Sequence, residues 1–128
     1  MRGAAAVLAV GALILGLSAT AGAGRQPPAR LMVSGQEYSL MLSRQSIRSG
    51  PALIEFLNRG EDPHDLRLRR IASGGVSARR TFAIPETRSS ELAELEVRLA
   101  AGRYRLWCSI PGHRALGMRA TLRVKRRS

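Results

Sequence analysis

GRYRLWCSIPGHRALGMRATLRV, residues 102–124, is the part of the sequence with the clearest structural pattern. Apolar residues alternate with other residues from Tyr104 to Cys108, and again from Leu122 to Val124. Alternation with a period of two is typical of strands that bury one face. We therefore predict two β-strands joined by a loop, and that loop contains a Cys, a His and a Met at the spacing C-x4-H-x4-M.

The same loop contains most of the metal-binding side chains of the chain. Cys108 is the single Cys, His113 is one of only two histidines, and the other, His64, opens an upstream strand pattern. Singly, each of these residues is more often structural, as a buried Cys or a core Met usually is. Together with Met118 they form the ligand set of a trigonal blue-copper site with a weak axial Met. The sequence therefore predicts one copper ion.

Alternating apolar positions predict further strands upstream. The segment 89–99 also fits a helical spacing, but Pro85 and the Ala101-Gly102 turn bracket a hairpin-sized piece, which favours a strand from about Glu94. About seven short strands separated by turns predict an all-β sandwich or barrel. The other predicted strands lie around Tyr38–Leu42, Ala52–Phe56, Leu66–Leu68 and Thr81–Ile84, the last of them expected to stop at Pro85.

The amino-terminal segment has the parts of a secretory signal. Arg2 precedes an apolar run, and the segment ends in small residues that fit the A-x-A rule, with cleavage after Ala21 or Ala23. We predict a signal peptide over residues 1–23, with an uncleaved anchor helix as the alternative. Residues 24–30 are expected to be a flexible leader and residues 31–128 the single domain. The protein is then exported to the periplasm or another extracytoplasmic space, and is membrane-associated if the anchor is kept.

The charge balance is strongly basic, with 21 Lys and Arg against nine Asp and Glu, a formal net charge of +12. Such a balance first suggests nucleic acid, but export would separate the protein from the genome. Strand alternation assigns many arginines to solvent-facing positions. The remaining surplus predicts an acidic redox partner or an anionic membrane surface, with no nucleic-acid partner, and we expect a monomer. A single Cys excludes an internal disulfide, a CxxC redox pair and a zinc finger.

Residues 102–124, together with IEFLNRGEDPHDL at residues 54–66, resemble the cupredoxins, the plastocyanin/azurin family. The resemblance extends from about residue 31 to residue 126. It implies a Greek-key β-sandwich with copper at one end, with His64, Cys108 and His113 as in-plane ligands and Met118 as the axial ligand. The CSIPGH sequence is azurin-like, whereas the four residues before Met118 follow other branches, so the subfamily stays open.

The residues that flank the first ligand are also expected to support the site. Pro63 before His64 is plastocyanin-like. Many blue-copper proteins have Asn or Ser after that His, where it ties two ligand loops together. Here the residue is Asp65, whose carboxylate accepts hydrogen bonds and cannot donate as Asn does. Its backbone N–H can still reach the thiolate sulfur.

The resemblance also implies how electrons would leave. It places the ring edge of His113 at the surface, so we predict that the residues around it, Ile110, Pro111, Arg114 and Leu116, form a docking patch for a redox partner. The predicted function is electron transport by an exported copper protein that is not an enzyme. The alternative is copper binding or delivery without electron transfer. No further Cys or His remains for a second metal centre.

Overall fold

The computed structural model describes residues 24, 26–73 and 80–128. The predicted signal peptide, residues 1–23, lies outside the described residues. Among those described, no helix is long and apolar enough to cross a membrane. The elements are strands β1 (Ala29–Gln36), β2 (Ser39–Leu42), β3 (Ser46–Arg48), β4 (Gly50–Asn58), β5 (His64–Arg70), β6 (Thr81–Thr87), β7 (Leu92–Leu99), β8 (Gly102–Trp107) and β9 (Arg119–Lys125), and one short helix, α1 (His113–Leu116), between β8 and β9.

The strands form two sheets. One has four strands in the order β2-β1-β4-β7, and the other has five in the order β3-β9-β8-β5-β6. The β1–β4 and β3–β9 pairs are parallel and the other pairs are antiparallel. The chain changes sheet after β2, β3, β4, β6 and β7, as a Greek-key sandwich requires. The all-β sandwich predicted from the sequence is confirmed.

The core lies between the two sheets and is built from the inward-facing positions of each strand. Alternate residues are buried along β4, β5, β8 and β9, which is the pattern that the sequence predicts. Apolar area removed from water in this way is the main stabilising term of the fold. The fully buried side chains of the core are Leu31, Val33, Ile54, Phe56, Leu66, Leu68, Leu106 and Leu122.

Two strands, β1 and β3, were not predicted, and β7 is longer than expected. β1 begins at Ala29, inside the segment expected to be a leader, and pairs in parallel with β4 from its first residue. β3 was not predicted, because three residues are too few to establish an alternation. β7 is a strand from Leu92, two residues earlier than expected, and the helical alternative is not adopted.

The prediction that Pro85 ends its strand is wrong. β6 continues to Thr87 with Pro85 inside it. β6 is the edge strand of the five-stranded sheet, where a proline is tolerated because N–H groups that point away from the sheet make no ladder bond. Its register against β5 also shifts between Leu66 and His64, so Pro85 lies in a β-bulge.

Candidate metal centre

The four predicted ligands come together at one end of the sandwich. His64 is the first residue of β5, Cys108 follows β8, His113 begins α1, and Met118 precedes β9. Antiparallel pairing of β8 with β9 closes the loop that carries the last three. Within it, the Cys108 N–H donates to the Met118 carbonyl at 3.1 Å, and the Met118 N–H donates to the His113 carbonyl at 3.0 Å. The loop is therefore held by its own backbone.

Three of the side chains form a compact donor cluster. One ligand atom from each of His64, Cys108 and His113 lies within 4.8 Å of the others. The two Nδ1 atoms of the histidines are 3.1 Å apart, and the Cys108 sulfur is 3.7 Å from the His113 Nδ1. His64 and Cys108 have no exposed surface, whereas His113 is half-buried. One imidazole thus lies at the surface while the other donors are enclosed.

Met118 is fully buried at the same end of the molecule. Its terminal methyl group reaches β1, where a Cβ added at Gly35 would lie 3.4 Å from it and 2.9 Å from the Phe56 ring. The absence of a side chain at position 35 therefore leaves room for both Met118 and Phe56. The Met side chain is confined by the core rather than free in solvent.

Two glycines shape the ligand loop. Gly112, before α1, has φ of 85°, and Gly117, after it, has φ of 133°. Both values lie where L side chains are strained. A Cβ at Gly117 would also lie 2.6 Å from the Tyr38 carbonyl oxygen, whereas a Cβ at Gly112 would meet nothing within 4 Å. The loop that carries Met118 thus packs directly against the turn between β1 and β2.

Asp65 ties β5 to the ligand loop. Its Oδ1 accepts a hydrogen bond from the Ser109 N–H at 2.6 Å, and its Oδ2 accepts from the Ser109 hydroxyl and, at 3.0 Å, from the Arg67 Nε. The carboxylate joins the two ligand segments by accepting, with Ser109 as donor. Burial disfavours its charge, but the hydrogen bonds from Ser109 and Arg67 outweigh burial and hold the pKa of the Asp65 carboxyl below its usual value.

The Cys108 thiol is fully buried, beside the imidazoles of His64 and His113. Burial raises the pKa of this thiol, while backbone hydrogen bonds from Asp65 and Ile110 act in the opposite direction. A buried thiol ionises reluctantly on its own, but a metal cation that binds the sulfur displaces the proton to solvent. The surroundings of Cys108 suit a metal ligand better than a solvent-exposed nucleophile.

Glu37 is a residue of the site that sequence reasoning missed. Its Oε1 lies 2.8 Å from the His64 Nε2 and also accepts from the Asp62 N–H at 2.9 Å, while its Oε2 accepts from the Glu61 N–H at 3.2 Å. These bonds, led by the one from the Asp62 backbone, lower the pKa of Glu37 to about 2. With Nε2 engaged by a carboxylate, His64 presents Nδ1 to the donor cluster.

The loop between β4 and β5 packs closely around the Glu37 carboxylate. A Cβ at Gly60 would overlap the Glu37 carboxylate. Asn58, fully buried, holds the same loop by donating to the Asp62 carbonyl at 2.8 Å and the Thr87 carbonyl at 2.9 Å, and by accepting from the Gly60 N–H at 2.8 Å. Every polar group of this amide is thus used. Pro63 lies exposed between this loop and His64, outside the donor cluster.

The predicted docking patch surrounds the half-buried His113. Pro111, Arg114 and Leu116 are exposed, Leu116 to 62%, and Ile110 is half-buried. The structure adds Tyr38, whose ring meets the His113 ring edge-on with centroids 5.1 Å apart. Tyr38 belongs to the β1–β2 turn, so no pattern in the ligand loop could have indicated it.

The donor chemistry fits copper. A thiolate and a thioether are soft donors that select copper, and imidazole serves both of its oxidation states. Oxygen donors, which Mg²⁺ and Ca²⁺ prefer, are absent from the cluster formed by the described residues. A closed structural zinc site would take four Cys or His donors rather than a thioether.

Solved structures share the architecture. The chain is similar to auracyanin from the photosynthetic bacterium Roseiflexus castenholzii, with a TM-score of 0.62 and 14% identity over 75% of this chain and 96% of that chain. It is similar to auracyanin A, a "blue" copper protein from Chloroflexus aurantiacus, with a TM-score of 0.59 and 19% identity over 77% of this chain and 100% of that chain. For rusticyanin from Thiobacillus ferrooxidans the TM-score is 0.60 and the identity 16%, over 75% of this chain and 76% of that chain.

No protein-family model matches the sequence, and no curated protein matches it. The structural matches nevertheless span about three quarters of this chain. They extend over about three quarters or more of each neighbour. The chain has the cupredoxin fold.

Proposed function

We propose that this protein binds one copper ion through His64, Cys108, His113 and Met118 and carries single electrons between redox partners. The observation that carries the proposal is the convergence of every Cys and His of the chain on one cluster, with ligand atoms within 4.8 Å. Bound copper would supply the exchange of one electron between its two oxidation states. A similarity in fold to a "blue" copper protein supports the same chemistry.

The surroundings of the cluster favour electron transfer over ion delivery. Cys108, His64 and Met118 have no exposed surface, so an acceptor protein has no direct access to these three donors. The Asp65–Ser109 bonds and the Glu37–His64 contact hold the donors in place. Little rearrangement is then needed when the charge of the ion changes. A carrier that hands over its ion needs open or exchangeable ligands instead.

The exposed part of the site suggests where a partner would bind. His113 is the half-buried ligand, and the side chains of Tyr38 and Leu116 are exposed beside it. A small apolar patch permits the brief contacts typical of redox encounters. Arg114 next to it favours a partner with acidic residues. We place this docking in an extracytoplasmic compartment, on the strength of the predicted signal peptide.

Copper loading tests the function. We expect the purified protein to turn intensely blue with Cu(II) and to bleach with ascorbate. C108A should stay colourless, because the thiolate gives the colour. M118L should keep the colour and change the reduction potential, while M41L, at an exposed Met outside the site, should leave both unchanged. A wild-type protein that stays colourless after loading would show the proposal to be wrong.

Kinetics distinguish the two uses of a copper site. Rapid mixing of the reduced copper protein with an oxidised acidic c-type cytochrome should give reduction of the haem with the copper retained. Transfer of the ion to a metal-free copper acceptor, without any electron exchange, would favour copper delivery instead.

A further inference from the structure

The outer face of the five-stranded sheet is rich in cations. Its outward positions alternate with buried residues along β5, β8 and β9, and most are arginine. Same-face neighbours are roughly 7 Å apart along a strand and about 5 Å apart across strands. We call this surface the basic face; its cations are Arg48, Arg67, Arg69, Arg103, Arg105, Arg119, Arg123 and Lys125.

Several of these cations stand directly opposite one another in the sheet. The register pairs Arg69 with Arg105 and Arg103 with Arg123. It also pairs Arg48 with Lys125. Like charges in such positions destabilise a sheet. The basic face therefore lowers the free energy of unfolding of the isolated protein, and a bound anionic surface would reverse this destabilisation.

The acidic residues of the chain do not neutralise this face. Asp65 forms an ion pair with Arg67 at 3.0 Å, and it is the only carboxylate paired with a cation of the basic face among the described residues. Three of the nine acids, Glu55, Glu94 and Glu96, lie on the outer face of the other sheet. The two outer faces thus differ strongly in charge.

The basic face also lacks the apolar centre of a protein interface. The large exposed hydrophobic side chains among the described residues are Tyr38, Met41, Leu92 and Leu116, none of which lies on this face. Trp107 is half-buried there, with the guanidinium of Arg114 at 5.4 Å and that of Arg69 at 6.0 Å from its ring. Stable protein interfaces bury apolar and aromatic residues at their core. A surface of headgroup charges needs no such centre.

A groove continues the basic face at the end of the sandwich away from the donor cluster. Its volume is about 650 Å³, and its lining contains five cations and no acid. Arg48 and Lys125 belong to both surfaces. The others are Arg44, Arg127 and Arg30, of which Arg30 is ion-paired with Glu55. The positive surface is thus continuous over one side and one end of the molecule.

We propose that the basic face and this groove bind an anionic lipid bilayer through its phosphate headgroups. A flat array of cations with one paired acid and no exposed apolar centre matches a flat surface of distributed negative charge. In this orientation the sheet lies along the membrane and the loop with His113 stays at its edge, open to a soluble partner. The proposal does not depend on copper, since the cations are present in the metal-free chain.

Vesicle sedimentation tests the proposal with the metal-free full chain. The probe is vesicles of roughly one part phosphatidylglycerol to two parts phosphatidylcholine, compared with pure phosphatidylcholine. We expect binding to the anionic vesicles alone, and release as salt rises from roughly 50 to 500 mM. R105E/R123E should reduce the binding constant by at least about tenfold. Each new Glu would face an Arg across the sheet, so this variant should fold at least as well as the wild type.

R88E/R98E is the matched control, because it changes the net charge equally at exposed positions off the basic face. Its binding should stay close to that of the wild type. The proposal is wrong if the anionic vesicles fail to bind the protein, or if both double variants lose binding equally. It is also wrong if a short DNA duplex at equal phosphate concentration displaces the protein from the vesicles, since the face would then prefer nucleic acid.

Discussion

At the scale of single residues, the site depends on carboxylates that are not ligands. Glu37 binds the far nitrogen of His64 at 2.8 Å, and Asp65 accepts the Ser109 N–H at 2.6 Å. Partners of this kind fix the orientation of a ligating imidazole and raise its basicity. Glu37 also carries a negative charge close to the donor cluster. It should therefore favour the more highly charged state of a bound ion.

We predict that E37Q raises the reduction potential of the copper protein. Gln keeps the shape of the side chain and removes its charge, so Cu(II) should lose more binding energy than Cu(I). Loss of a partner of this kind typically lowers metal affinity by about 10–100-fold. Voltammetry and a competitive copper titration measure the two effects. E61Q, in the adjacent exposed loop, is the control, and an E37Q potential equal to that of the wild type would contradict the assigned role.

The ligands could be predicted from the sequence, whereas Glu37 could not. Cys108, His113 and Met118 lie within eleven residues, and the chain has one other His. A Cys, a His and a Met at this spacing are rare enough to predict a metal site without a structure. The contact of Glu37 with His64 depends instead on the parallel register of β1 and β4, which brings the β1–β2 turn to the loop after β4. The register between two strands that are distant in the chain leaves no pattern in the sequence of either strand.

At the scale of elements, the alternation of apolar residues predicted most strands, because each of these strands buries one face and exposes the other. Pro85 shows where this reasoning fails. A proline ends a central strand but not an edge strand, and the position of β6 in the sheet follows from the whole topology. α1 could not be predicted either, since its four residues carry no helical period.

The two glycines of the ligand loop give a prediction at this scale. G112A should cost about 1–2 kcal/mol, from backbone conformation alone. G117A should cost more, about 3 kcal/mol, because its Cβ also meets the Tyr38 carbonyl oxygen. Urea unfolding of the metal-free proteins measures both values. Equal losses for the two variants would show that the contact between the loop and the β1–β2 turn is not close.

At the scale of the whole molecule, the positive charge is concentrated on one of the two outer sheet faces. The sequence indicated the surplus of cations but not its location, because alternation alone does not say which strands share a sheet. Sheet order places β3, β9, β8 and β5 side by side, and this order concentrates their arginines on one face. The opposed pairs on that face should then weaken the fold at low salt.

We predict that the melting temperature rises when sodium chloride screens these pairs. Three opposed pairs at about 0.5 kcal/mol each correspond to a rise of roughly 4–8 °C. R105E/R123E should melt higher than the wild type at low salt and respond less to added salt, because two of the three pairs become attractive. Calorimetry of the metal-free proteins measures both. A melting temperature that falls with salt would contradict this interpretation of the basic face.

The position of β9 has a consequence for the time at which the molecule can fold. β9 is the second strand of the five-stranded sheet and pairs with both β3 and β8, although it is the last strand in the chain. Without it, β3 has no partner and the ligand loop is not closed. Pairings between such distant segments form slowly. We therefore expect a ribosome-bound chain to remain unfolded until residues 119–125 have emerged. An unfolded chain can still pass through a membrane channel while it is being synthesised.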